Sequence, residues 1–250
     1  MDNTTYVALS RQLVLRRELD VTANNLANMN TTGYKFEQLL VAPERGRPTF
    51  NDPIKTAAHF AFDKGVGRDF SQGTFLQTGN PYDVALEGEG AFFVVNGANG
   101  NLYTRDGAFT VNNEGVLTTQ NGLVVQGDGG GEIRLNPQYG EPTISPDGIV
   151  SQRTEDGAVR VGKIGVVRFA SLSDLEKRGD NLFTATTNVP PVPATDARIR
   201  QGLLEASNVN AMSEITKLVE INRAYASVSK IIEQNQELNR SAVERLGRSA

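Results

Sequence analysis

The sequence predicts a mixed α and β protein, with long N- and C-terminal helices that pair with one another and a central all-β domain. Two observations carry this reading. Apolar residues recur every three to four positions from Asp2 to about Asn28 and again from about Asn210 to Gly247, the period of a helix with a buried face. Between these stretches, Gly, Asn-Gly and Asp-Gly punctuate short apolar runs, as in strands joined by tight turns. This layout suggests a chain that joins a larger assembly through its termini, although amphipathic terminal helices more often pack on the core of their own domain.

In the first helix Tyr6, Leu9, Leu13, Leu19, Ala23 and Leu26 share a face, and Asp2, Asn3 or Thr4 supplies the cap. Asn30-Thr31-Thr32-Gly33 ends it, because Gly accepts the left-handed conformation that stops a helix. Asn24, Asn25 and Asn28 are unusual helix residues, since their amides compete with the backbone for hydrogen bonds. They therefore want partners. The last helix carries a stripe in four-three spacing: Ala211, Ile215, Leu218, Asn222, Tyr225, Ser229, Ile232, Gln236, Asn239, Val243 and Leu246. Ile221, Val228, Ile231 and Leu238 form a second row on an adjacent face, which predicts neighbours on more than one side.

The predicted divisions are an N-terminal helix over 1–35, an extended connector over 36–80, the central β-domain over 81–187, a return connector over 188–206 and the C-terminal helix over 207–250. The connector is rich in Pro and Gly, with Pro43, Pro48, Pro53, Gly46, Gly65 and Gly73. Ala91-Phe92-Phe93-Val94-Val95 reads as a strand buried on both faces. Leu102–Thr104, Ala108–Val111, Val116–Thr119 and Leu123–Val125 follow, separated by Asn99-Gly100, Asp106-Gly107, Asn112–Gly115 and Asn121-Gly122 turns that accept positive φ cheaply. Further short strands are expected at Ile133–Leu135, Ile144, Ile149–Ser151, Val159–Val161 and Ile164–Phe169, with turns at Asp147-Gly148 and Asp156-Gly157 and one helical turn over Leu172–Lys177. Asn188-Val189-Pro190-Pro191-Val192-Pro193 is extended.

Composition narrows the function. The 250 residues carry a net charge of −4, without the concentrated basic surface of a nucleic-acid binder; Arg11, Arg16 and Arg17 read as helix-face charges. Cysteine is absent, which removes disulfides and thiol nucleophiles. The lone His59 has no neighbouring ligand to complete a metal set. No run reaches the roughly 18 apolar residues of a membrane span. The N-terminus does not show the basic-then-apolar order of a cleaved signal, which by itself predicts a cytoplasmic protein. Asp83, Glu87 and Glu89 place three carboxylates close in sequence, but a glycosidase pair needs opposed placement around a sugar, and loop carboxylates are ordinarily solvated. Gly127-Asp128-Gly129-Gly130-Gly131 lacks the Lys-Ser/Thr of a phosphate loop and the alternating acids of a calcium loop.

Ala23-Asn24-Asn25-Leu26-Ala27-Asn28 and Asn30-Thr31-Thr32-Gly33-Tyr34-Lys35 are followed by Gln72-Gly73, Thr78-Gly79-Asn80, Asp83 to Gly90, Tyr103 to Phe109, and Gln201 to Asn210 leading into Glu214-Ile215-Thr216 and Asn222-Arg223-Ala224-Tyr225. In this order the motifs resemble the rod and hook proteins of the bacterial flagellum over nearly the whole chain. Met1-Asp2-Asn3 and Leu15-Arg16-Arg17-Glu18-Leu19-Asp20 look most like the proximal-rod member, the distal-rod and hook proteins being paralogues; Met29 and Ala226 depart from the usual pattern. The resemblance implies a structural subunit without catalytic residues, cofactor, metal, small-molecule substrate or nucleic acid. Its implied partners are other rod proteins, copies of itself and the flagellar type III export apparatus. It also implies a place in the rod, periplasmic in a Gram-negative cell, reached without a cleaved signal. The terminal helices would line an inner tube, with assembly contacts expected from Leu9, Leu13, Leu19, Asn24, Asn25, Leu26, Asn28, Ile215, Leu218, Asn222, Tyr225 and Ile232. Two other classes are a secreted binding protein using the turns between residues 97 and 160, and a glycan enzyme using Glu87 or Glu89.

Overall fold

A computed structural model describes residues 3–45, 59–98, 100–155, 157–186 and 189–248. The expected Asp2 cap, residues 46–58 of the connector, the turn positions Asn99 and Asp156, Asn188 of the extended segment, and the side chains of Asn3, Thr4, His59, Val243 and Leu246 lie outside the described residues. The chain forms two compact units, one from residues 1–27, 37–68 and 210–250 and the other from 28–36 and 69–209, passing from one to the other after residues 27, 36, 68 and 209.

The first unit holds helix α1 (Asn3–Ala27), helix α2 (Ala211–Arg248) and the antiparallel pair β1 (Glu37–Arg45) and β2 (His59–Arg68). Both helices begin and end within a residue or two of the periodicity. Asn210 caps α2, its side-chain oxygen accepting from the Ser213 N–H at 3.2 Å. α1 packs along α2 and also against the β1–β2 ribbon, burying Val14, Leu15, Val21, Thr22 and Asn25.

The second unit is β-rich. Its largest sheet contains, among the described residues, nine strands: β14 (Leu175–Gly179), β15 (Leu182–Ala185), β6 (Gly100–Thr104), β5 (Ala91–Gly97), β9 (Val124–Val125), β8 (Leu117–Thr119) and β7 (Phe109–Val111) in that order, with β13 (Val166–Arg168) pairing β5 and carrying β16 (Val192–Pro193). β5 is buried on both faces. Ala91, Phe93 and Val95 join a core with Leu86, Phe109, Leu117, Ile133 and Ile164, while Phe92 and Val94 join Phe70, Tyr103, Phe169, Leu175 and Phe183. In the second core Phe92 meets Phe70, Phe169 and Phe183 edge-on at centroid distances of 5.6, 5.9 and 5.8 Å, the arrangement that ring quadrupoles favour. A smaller sheet holds β10 (Pro142–Ile144), β11 (Ile149–Thr154) and β12 (Gly157–Lys163).

Two differences from the sequence reading stand out. Only Leu172–Asp174 form a helical turn, without a side-chain cap from Ser171; Leu175 then enters β14, where it is buried and pairs with Ala185. The following hairpin turns through Asp180 and Asn181 at φ 48° and 56°, residues that tolerate this region but give a weaker signal than Asn-Gly. Within the extended return, β17 (Arg198–Gln201) pairs with β4 (Val84–Glu87), and β18 (Leu203–Glu205) pairs with β3 (Phe75–Gln77).

Candidate assembly interface

In the helix pair, the residues facing inward on α2 are Glu214, Leu218, Ile221, Tyr225, Val228 and Ile232, of which Glu214 and Ile221 are fully buried. This row keeps the four-three spacing of the sequence stripe and shares Leu218, Tyr225 and Ile232 with it, each half-buried. Ile215 and Asn222 fall outside, Ile215 at 47% exposure, with the Asn222 amide donating to the Leu218 carbonyl of its own helix at 2.9 Å. On α1, Leu9 and Leu13 are 45% and 60% exposed, Leu19 and Leu26 half-buried, and Asn24 exposed. The inward row escaped the stripe because Glu214 is charged, and a carboxylate gives no apolar signal even where it is buried.

Asn25 explains that burial. Its Nδ2 donates to the Glu37 carbonyl at 2.7 Å and to Glu214 Oε2 at 3.0 Å, while its Oδ1 accepts from the Glu37 N–H at 3.0 Å. One side chain thereby ties α1 to β1 and α2. Glu37 in turn accepts from Arg68 Nε on β2 at 2.8 Å. The amide that disfavours helix locally is thus engaged inside this chain rather than with a neighbouring subunit, and the competition with the backbone is offset by three tertiary hydrogen bonds. Gln12 Nε2 donates to Ser229 Oγ at 3.0 Å, and Lys217 lies 3.6 Å from Glu18, adding two more links between the helices. Asn28 lies in the second unit, where its carbonyl and Oδ1 accept from Thr31 N–H and Oγ1 at 3.1 and 3.2 Å and close the turn after α1.

The helix pair leaves an open groove of about 780 Å³, lined in part by Arg11, Leu15, Glu18, Met212, Lys217 and Ile221. With Leu9, Leu13, Ile215 and Val219 exposed nearby in sequence, the unit presents both a mixed-charge groove and uncovered apolar side chains. Two carboxylates of the enzyme reading are engaged otherwise: Glu87 holds Arg200 at 2.7 Å, which keeps its carboxyl below the usual range, and Asp83 accepts from Asn80 Nδ2 at 3.0 Å.

The remaining sequence motifs converge in the second unit on a buried polar cluster. Lys35 Nζ donates to Glu205 Oε1 at 2.6 Å and to the Ser71 carbonyl at 2.7 Å; Arg105 lies 3.6 Å from Glu205 Oε2 and donates to the carbonyls of Leu86 and Gly88 at 3.3 and 2.6 Å. Glu205 also accepts from the Gly73 N–H at 2.9 Å through Oε1 and from the Gly33 N–H at 2.8 Å through its backbone. Burial lowers the Lys35 pKa from its ordinary value, opposed by Glu205, and lowers that of Arg105 for the same reason. Beside them Thr32 Oγ1 donates to Asp106 Oδ1 at 2.7 Å, and Asn181 Nδ2 to the Thr32 carbonyl at 2.8 Å. Gly107 is required here: a Cβ would sit 1.7 Å from the Val84 carbonyl oxygen. Sequence reasoning saw these residues only as motif letters, because nothing in local periodicity links positions so far apart.

Profiles of known families match three stretches of the chain: residues 6–35 match the flagella basal body rod protein family, 85–152 the flagellar hook protein FlgE/F/G D1 domain, and 200–245 the flagellar basal body rod FlgEFG protein C-terminal family. The chain is 54% identical over 248 residues to the flagellar basal-body rod protein FlgF of Caulobacter vibrioides, covering 99% of each chain. It is 33% identical over 253 residues to the FlgF of Mesorhizobium japonicum, again covering 99% of each, and 31% identical over 269 residues to the flagellar basal-body rod protein FlgG of Bacillus subtilis, covering 95% of this chain and 97% of the relative. With matches at both ends and in the middle, and relatives aligned from end to end, the chain belongs to the flagellar basal-body rod proteins and is similar to FlgF.

Proposed function

We propose that this rod subunit polymerises through its terminal helices, which form the inner layer of a helical tube in the drive shaft between motor and hook. The chain is a structural rod protein, not an enzyme. The observation that carries the assembly reading is the uncovered apolar surface of the first unit. Leu9, Leu13 and Ile215 remain in water although α1 and α2 are already packed together. Leu238, far along α2, is 69% exposed. Apolar side chains at a helical interval on an already paired helix gain burial only from another molecule.

In this reading, neighbouring subunits cover Leu9, Leu13, Ile215 and the half-buried Leu218, Tyr225 and Ile232. Asn24 and Asn222, both exposed, set register. Head-to-tail contacts that do not close into a ring extend the filament. Backbone ordering costs roughly 1 to 2 kcal/mol per residue, so the outer half of α2 gains its full order on docking. Partners are other rod proteins and further copies, and delivery is through the flagellar export apparatus to a rod that is periplasmic in a Gram-negative cell. The proximal-rod assignment is favoured over the distal-rod paralogue because the identity to a full-length FlgF, 54%, exceeds the 31% to the FlgG of Bacillus subtilis.

Ile215→Asp tests this reading. The purified variant is expected to keep the helix content and unfolding midpoint of the wild type, while cells carrying it fail to incorporate the subunit and do not swim. Normal swimming by that variant would overturn the assignment of this face.

A further inference from the structure

We propose that Asn208 is a load-sharing clasp: its amide ties together three of the four passages by which the chain leaves the second unit, so that a pull or twist on one is borne by all three. The inference rests on the reading of this subunit as part of a drive shaft, and adds to it the side chain that joins the polypeptide to itself where it changes unit.

The passages lie after residues 27, 36, 68 and 209. Boundaries between compact units ordinarily fall in flexible linkers crossed by few contacts. Here the passages are bonded to one another. Asn208 Oδ1 accepts from the Phe36 N–H at 2.7 Å, while its Nδ2 donates to the Asp69 carbonyl at 2.9 Å and to Ser71 Oγ at 3.1 Å. The Asp69 N–H donates in turn to the Phe36 carbonyl at 2.9 Å, which closes a ring through residues 36, 69 and 208, one from each passage. All three belong to the second unit. Asn208 is 172 residues from Phe36 and 139 from Asp69, so the ring is a junction of distant segments and not a local turn.

The chemistry of the junction specifies an amide. Phe36 presents a donor and Asp69 an acceptor, and a primary amide offers one acceptor and two donors from a single short side chain. A carboxylate would meet Phe36 and fail Asp69. Because the ring runs through backbone groups at 36 and 69, it grips the chain itself. When one segment is displaced, bonds that close a ring are strained together, whereas unbonded segments would yield one at a time.

Native-state hydrogen exchange on the purified chain tests the ring. Asn208→Ala removes the acceptor of the Phe36 amide but leaves the Phe36 carbonyl in place for Asp69. Both amides are expected to lose protection together, by about tenfold, while the buried Val94 amide, bonded to the Gly165 carbonyl, keeps its own. Loss at Phe36 alone, or an equal loss at Val94, would overturn the clasp. In cells, Asn208→Ala and Asn208→Asp are both expected to enter basal bodies at the wild-type level and to swim normally in dilute medium, yet to lose speed more steeply than wild type as viscosity is raised. Speed curves that superimpose on the wild type, or absence of either variant from basal bodies, would overturn load sharing. Normal swimming by Ile215→Asp would instead sink the assembly reading and leave the exchange result untouched.

Discussion

Asn25 and Glu214, 189 residues apart in the chain, are joined by a 3.0 Å hydrogen bond within the paired helices. The same amide holds the backbone of Glu37 on both its donor and acceptor sides. The residue least suited to a helix interior is therefore the one that sets where α1, α2 and β1 meet.

Replacing Asn25 with Ala withdraws three hydrogen bonds from a fully buried position. Buried groups stripped of a partner cost about 1–3 kcal/mol each, so the helix pair is expected to lose about 3 kcal/mol in urea unfolding monitored by helical circular dichroism. Asn25→Asp is expected to be worse at neutral pH, because it opposes a carboxylate to Glu214. Equal midpoints for Asn25→Ala and wild type would refute the role given to this side chain.

Gly107 and Gly122 make a matched comparison. At Gly107 an added Cβ meets the Val84 carbonyl oxygen at 1.7 Å, and Val84 N–H donates back to the Gly107 carbonyl at 3.0 Å, so backbone must move against backbone. Gly107→Ala is expected to cost about 3 kcal/mol or more, the upper range for overpacking. At Gly122 the space is open but φ is +81°, and Gly122→Ala is expected to cost only about 1–2 kcal/mol of left-handed strain. Urea midpoints of the two variants, read by near-ultraviolet dichroism of the Phe and Tyr core, should separate them in that order.

Asp106 gives a pH dependence with a defined sign. Burial raises its carboxyl above the ordinary 3.8, outweighing the hydrogen bonds from Thr32 and Ala108. Just above pH 3.8 the folded chain then holds more protons than the unfolded chain, so this group's contribution to stability falls as pH rises through that window. Asp106→Asn keeps an acceptor for Thr32 and cannot ionise. Its unfolding temperature relative to wild type is expected to climb as pH is raised from about 4 toward neutrality, since a buried carboxyl prefers its neutral form. A difference that stays flat over this range would contradict the sign.

The sequence made the two helices legible because their apolar period extends over many turns, and it made the Asn-Gly and Asp-Gly hairpins legible because those turns have a backbone reason. β5 was readable from five consecutive apolar residues, which the structure distributes between two cores. Hidden were the pairings of β17 with β4 and β18 with β3. Neither three- or four-residue strand has a period of its own, and the partner of Arg198 is Glu87, far back in the chain. The inward row of α2 was displaced from the apolar stripe for a similar reason: position 214 is chosen for a hydrogen bond to Asn25, not for hydrophobicity. The site residues divide accordingly, Leu9, Leu13 and Ile215 outward, and Leu218, Tyr225 and Ile232 at the margin of the packed face.

Because the polypeptide changes unit after residues 27, 36, 68 and 209, neither unit is encoded by an uninterrupted stretch of sequence. A single genetic crossover with a paralogue between residues 36 and 204 would leave each unit with segments from both parents. Such chimaeras inherit mismatched partners for Asn25 and Lys35 alike. Diversification of this architecture is thereby channelled into exposed turns such as Asn121-Gly122, where added residues disturb neither partnership.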